Sequence, residues 1–122
     1  MVETKKKVLV VDDERAILTV LSIKLRISGY DVVTASNGEQ ALGLVESTCP
    51  DIMLLDVIMP GMDGFEVLEK VRATSRLPII VFSARPENAQ KALSLGANYF
   101  LAKPMDVDEM VRRIGRLLGQ KN

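Results

Sequence analysis

Five short apolar stretches recur along the chain, and each gives way to a polar or charged residue. Val8 to Val11 runs into Asp12, and Ile52 to Leu55 runs into Asp56. Runs this short and continuous fit strands buried on both faces of a parallel sheet. Tyr30 to Ala35, Leu77 to Phe82 and Asn98 to Ala102 complete the set, followed by Ser36, Ser83 and Lys103. Pro78 is tolerated at a strand start.

The segments between them carry the helical period. Ile17, Leu18, Leu21, Leu25 and Ile27 form one stripe, predicting a helix over Glu14 to Ile27 with Asp13 as its cap and Gly29 as its stop. Ala41, Leu42 and Val45 define a second helix, from Ser36 or Asn37 to Glu46, where Ser36 and Glu39 match a capping box. Asp63 caps a third, Gly64 to Arg72, with Phe65, Val67, Leu68 and Val71 inward. Pro86 suits the first position of a fourth, which runs to Leu95 and ends at Gly96. Asp106 opens the last, through Leu118, packed by Met110, Val111, Ile114, Leu117 and Leu118. Strands alternating with helices predict an α/β fold: a doubly wound, flavodoxin-like five-stranded parallel sheet, order 2-1-3-4-5, with five helices on both faces.

Composition narrows the functions. A chain of 122 residues reads as one domain, 1–122, with a core over about 5–118 and an edge at Gly119 to Asn122. Sixteen basic residues balance sixteen acidic ones, so no field points to nucleic acid. No apolar run reaches the ~18 residues of a membrane span. The basic start, MVETKKK, fails as a signal peptide because Asp12, Asp13 and Glu14 break the apolar run. The single cysteine, Cys49, excludes an internal disulfide, makes cytoplasm the default and reads as a packing residue. No histidine is present, which removes a Cys–His nucleophile and histidine metal ligands. Met53, Met59, Met62, Met105 and Met110 read as flexible fillers.

The chemistry collects where strands end, the place where open α/β sheets bind ligands. In the order 2-1-3-4-5 the first and third strands are neighbours, which sets Asp12 and Asp13 beside Asp56. Like charges this close oppose each other's ionisation unless a cation sits among them. Hard oxygen donors without histidine favour Mg²⁺, with Mn²⁺ as a substitute, over zinc. Lys103 adds a point charge and Ser83 a hydroxyl. Asp56 is then a candidate nucleophile toward phosphorus, forming an acyl phosphate.

VLVVDDE (8–14), LLDVIMPGMDG (54–64), FSA (82–84) and GANYFLAKP (96–104), in this order, resemble a bacterial response-regulator receiver domain. The resemblance covers about Lys5 to Leu118. It implies a phosphoacceptor signalling switch that takes a phosphoryl group from a sensor histidine kinase, or a phosphotransfer protein, onto Asp56. Asp13 would be the direct metal ligand, Asp12 its acidic partner, and Ile58 the donor of a backbone carbonyl to the metal. Lys103 would bind the phosphoryl group and Pro104 would follow a cis peptide. Ser83 and Phe100 would be the switch hydroxyl and switch ring. Ile58 and Arg85 hold positions that tune hydrolysis. Such a domain catalyses its own phosphorylation and dephosphorylation without turning over an external substrate. It drives an output domain or effector protein through the surface of helix four, strand five and helix five, with a homodimer on activation as a further implied partner.

Two departures from that pattern stand out. The spacing from Ser83 to Lys103 is shorter than usual, and Asn98 and Tyr99 replace acids that often pair across the dimer. The alternative is a pseudo-receiver, an interaction module without phosphorylation. An aspartate-nucleophile phosphohydrolase would want an acid two residues after Asp56, where Ile58 stands. A calcium loop at GMDG (61–64) lacks the spaced acidic ligands. A flavin-binding relative would want a phosphate cradle where the first strand instead ends in acids.

Overall fold

The computed structural model describes residues 4–119; the rest of the basic start and of the edge at Gly119 to Asn122 lies outside the described residues. The elements follow in the order β1 Lys7–Val11, α1 Arg15–Ile27, β2 Asp31–Ala35, α2 Gly38–Thr48, β3 Ile52–Asp56, α3 Gly64–Arg72, β4 Ile79–Ser83, α4 Asn88–Ser94, β5 Tyr99–Ala102 and α5 Val107–Leu117. All strand pairs are parallel, and the sheet order is β2-β1-β3-β4-β5. This is the doubly wound architecture that the alternating pattern predicts.

Register is set at the entry to the sheet. The Asp51 carboxylate accepts from Lys7 N–H at 2.7 Å, and Asp51 N–H returns a bond to the Lys7 carbonyl at 2.8 Å. Val8 then faces Ile52 and Val11 faces Leu55. Two cores result. Leu9, Val11, Met53, Leu55, Ile79 and Val81 lie on the face covered by α2, α3 and α4. Val8, Val10, Ile52, Leu54, Ile80 and Phe82 lie on the face covered by α1 and α5. The three central strands are buried on both sides because helices cover both, and each fully buried aliphatic chain contributes roughly 1.5–3 kcal/mol.

Several local expectations shift. Glu14, not Asp13, is the N-cap of α1, and it makes no side-chain capping bond. The α2 cap is Asn37, whose side chain accepts from Gln40 N–H, while Gln40 Oε1 accepts from Ser36 N–H. The cap thus sits at Asn37, not at the Ser36–Glu39 pair, with Gln40 reaching back one residue past it, and α2 runs on to Thr48. Cys49 is exposed and ends α2 at φ +48, so it is a C-cap and not a packing residue. Ile27 is 76% exposed and leaves the stripe of α1. Pro86 lies in a turn ahead of α4, which begins at Asn88. The strands β4 and β5 start at Ile79 and Tyr99, inside the expected limits. Asp63 and Asp106 cap α3 and α5 as their positions predict.

Gly64 is where the loop after β3 closes on the strand. Its N–H donates to the Val57 carbonyl at 3.1 Å. A Cβ there would overlap the Asp56 carbonyl oxygen and Val57 Cα. Backbone cannot yield as a flexible side chain would, so Gly64→Ala should cost about 1–3 kcal/mol in denaturant unfolding. Gly43→Ala, with nothing within 4 Å of the new methyl, should be neutral or stabilising.

Candidate functional site

The register carries polar residues to one edge of the sheet. Asp56 ends β3 opposite Phe82, and Ser83 ends β4 opposite Ala102, with Lys103 next. Two ladder bonds extend beyond the strands: Asp12 N–H to the Ala35 carbonyl at 3.1 Å and Lys103 N–H to the Ser83 carbonyl at 2.8 Å. The backbone under Asp12, Ser83 and Lys103 is therefore held by the sheet, not by a free loop.

One carboxylate oxygen from each of Asp12, Asp13 and Asp56 lies within 4.8 Å of the others. Asp12 is 0% and Asp56 3% exposed, while Asp13 is open to solvent. Lys103 is the cation that faces them. Its Nζ lies 3.0 Å from Asp12 Oδ2 and 3.2 Å from Asp56 Oδ2, with Glu14 Oε1 at 3.8 Å. Nζ also sits 5.1 Å above the Phe82 ring, a further favourable contact for a cation. The remaining acceptors are turned to backbone: Glu14 N–H donates to Asp12 Oδ1 at 2.8 Å, and Ile58 N–H to Asp56 Oδ1 at 3.0 Å.

Burial disfavours the Asp56 carboxylate most, and Asp12 adds repulsion. The Ile58 N–H and Lys103 pull the other way, and the pKa stands raised from 3.8 to about 6. For Lys103, burial opposes the charge, but the bonds to Asp12 and Asp56 outweigh it and leave its pKa above the usual lysine value. The edge is electrostatically unsettled: two buried acids and one lysine, with a third acid at the rim.

The peptide between Lys103 and Pro104 is cis. Ser83 is fully buried, and its Oγ accepts from Arg85 N–H and from Asn88 Nδ2, both at 3.1 Å. Phe100 is half-buried, packed against the core beneath α2, α3 and α4. The Ile58 and Arg85 side chains are exposed at the rim. Sequence reasoning missed two participants. Glu14 had a signal, since it follows Asp12 and Asp13 directly. Asn88 had none, because its reach to Ser83 depends on where α4 begins.

Asn98 also has an internal role. Its Oδ1 accepts from Ile79 N–H and from Arg72 Nη2, each at 2.9 Å. Tyr99 carries the Arg113 guanidinium 4.2 Å above its ring, and Lys91 Nζ lies 4.3 Å above Phe65. Arg113 and Lys91 are thus engaged within the chain.

Residues 8–115 match the family model described as the response regulator receiver domain. The probable transcriptional regulator ycf27 of Guillardia theta is 43% identical over 98% of this chain and 48% of its own length. The alkaline phosphatase synthesis transcriptional regulatory protein PhoP of Bacillus subtilis is 43% identical over 93% of this chain and 48% of its own. The chain spans about half the length of the curated relatives it matches. The Francisella response regulator 1452 receiver domain superposes with a TM-score of 0.89 at 32% identity, covering 94% of this chain and 98% of that one. TrrA from Thermotoga maritima, solved in complex with Mg²⁺ and BeF, gives 0.85 at 34% identity over 92% and 98% of the two chains.

The raised Asp56 pKa sets a pH dependence. The folded protein holds this proton more tightly than the unfolded chain, so stability falls as pH rises from 3.8 to about 6 and then levels. Asp56→Asn should therefore be more stable than wild type at pH 7 without divalent cations. The ceiling is ~3 kcal/mol, and the gain should close as pH drops below about 4. Urea melts across this range check both the sign and the window.

Proposed function

The chain belongs to the response regulator receiver family, and from that premise we propose that it is a phosphoacceptor switch with Asp56 as the acceptor. The observation that carries the reading is the convergence of Asp12, Asp13 and Asp56 with Lys103 bonded to two of the three acids. Three converging acids and one lysine serve no folding need that neutral residues would not meet better, because buried charge is costly.

The donor set suits a hard divalent cation. All three side chains offer carboxylate oxygen, within reach of a single ion. Asp12, Asp13, Asp56 and the backbone carbonyl of Ile58 would hold Mg²⁺, which when bound offsets the charge of the acids and of a transferring phosphoryl group. The chain's own residues do the rest. An Asp56 carboxylate oxygen attacks phosphorus of a phosphohistidine on a sensor kinase or phosphotransfer protein. The O–P bond forms as the N–P bond breaks, and the histidine nitrogen leaves with the electron pair and takes up a proton. Lys103 Nζ, already beside Asp56, is placed to donate to a phosphoryl oxygen. The Ser83 hydroxyl, on the next strand, becomes a further donor when it turns toward the new group. Phe100 would follow that turn, and the surface of α4, β5 and α5 would report it to an output domain or effector protein. Transcriptional regulation is the expected output, since the relatives that carry this segment are named as such.

Incubation with a small-molecule phosphodonor and Mg²⁺ should add one labile phosphoryl group, seen by mass measurement. The adduct should be absent in Asp56→Asn and with chelator, and its formation roughly tenfold or more slower in Lys103→Ala, which removes the charged hydrogen bond. No adduct on wild type under any donor would leave a pseudo-receiver, an interaction module only. Ile58 and Arg85, exposed at the rim, are the groups that would limit water. Replacing both with small polar residues should speed loss of the phosphoryl group several-fold, followed by the decay of the mass adduct.

A further inference from the structure

The Ser83 hydroxyl is fully buried, and both of its acceptor positions are taken. One bond comes from Arg85 N–H, which any residue but proline at 85 would supply. The other comes from the Asn88 side-chain amide at 3.1 Å and depends on the identity of residue 88. Asn88 is the first residue of α4, and its own N–H donates to the Arg85 carbonyl at 3.0 Å. Its side chain is not the cap of that helix. The N-cap is Glu87, which makes no side-chain bond. The Asn88 amide instead turns back from the helix start to the end of β4.

A serine hydroxyl that moves from one staggered rotamer to another carries its oxygen roughly 2 Å. A hydrogen bond of 3.1 Å does not survive that shift unless its donor follows. We propose that Asn88 is a positioning residue: its amide holds the Ser83 hydroxyl in the resting orientation and so opposes the phosphorylated state. The proposal rests on the phosphoacceptor reading above. It acts through Ser83, since Asn88 itself meets neither Asp56 nor Lys103 in the hydrogen-bond network described.

The test is calorimetric titration of the full chain with beryllium fluoride, a phosphoryl mimic, in excess Mg²⁺. Asn88→Ala should bind about three- to tenfold more tightly than wild type, the reach of one neutral hydrogen bond. Asn88→Leu, close in volume and without a donor, should match it, and thermal melts establish that both variants fold. In a Ser83→Ala background the same substitutions should change nothing, because the bond they remove is already gone. An unchanged or weaker affinity in either variant overturns the proposal. So does an equal gain with and without Ser83, which would make Asn88 a merely structural residue of α4. The two readings fail differently. If wild type takes no beryllium fluoride, the phosphoacceptor reading falls and the proposal with it. If wild type binds and the variants are indistinguishable from it, the proposal alone falls.

Discussion

Like charges drawn together at the edge of a sheet repel, and the geometry of this protein depends on how that repulsion is met. Asp12 and Asp56 are almost fully buried, and their oxygens converge with one from Asp13. Lys103 bonds both buried acids yet is a single charge among three, with Glu14 close by as a fourth acid. Burial first, and the neighbouring Asp12 after it, push the Asp56 carboxyl above the usual carboxylate range. Perturbed acids gathered at the strand ends are the pattern of functional sites, and all three offer the oxygen donors that a hard divalent cation takes.

The scaffold explains how four distant positions arrive together. Parallel pairing of β1 with β3 brings residues 12 and 56 side by side, and pairing of β3 with β4 and β4 with β5 adds 83 and 103. The entry lock between Lys7 and Asp51 matters for this edge although it lies at the other end of the strands. A slip of one residue would exchange the side chains of the two sheet faces and carry Asp56 away from Asp12. At the loop, Gly64 lets the backbone pass directly against Asp56 and Val57.

Much of this was legible in the residues. Continuous apolar runs ending in Asp12 and Asp56 disclosed buried parallel strands with acids at their mouths, because burial on both faces leaves no polar positions within the run. The helix starts at Asp63 and Asp106 were legible because their side chains can only satisfy the free N–H groups of a first turn. Other starts were not. Ser36 and Asn37 compete for one cap, and the winner is decided by backbone geometry. Pro86 fits a first helical turn as well as it fits the turn it occupies. Cys49 takes a left-handed φ that spacing does not announce. The link from Asn88 to Ser83 was beyond reach for a similar reason: it exists only because the chain turns through 85–87 before α4 begins.

That helix is the shortest of the five, seven residues against nine to thirteen in the others. Seven residues make a rod ~10 Å long. At one end Asn88 is tied to Ser83; just past the other, the Gly96 carbonyl accepts from Arg72 Nε at 2.9 Å. Gly96 has φ +109, a bend that only glycine takes easily. The helix is thus a short arm tied at one end and just past the other. A displacement of ~1 Å at the serine end of such an arm is a tilt of roughly 6°, and a longer arm would turn less for the same push.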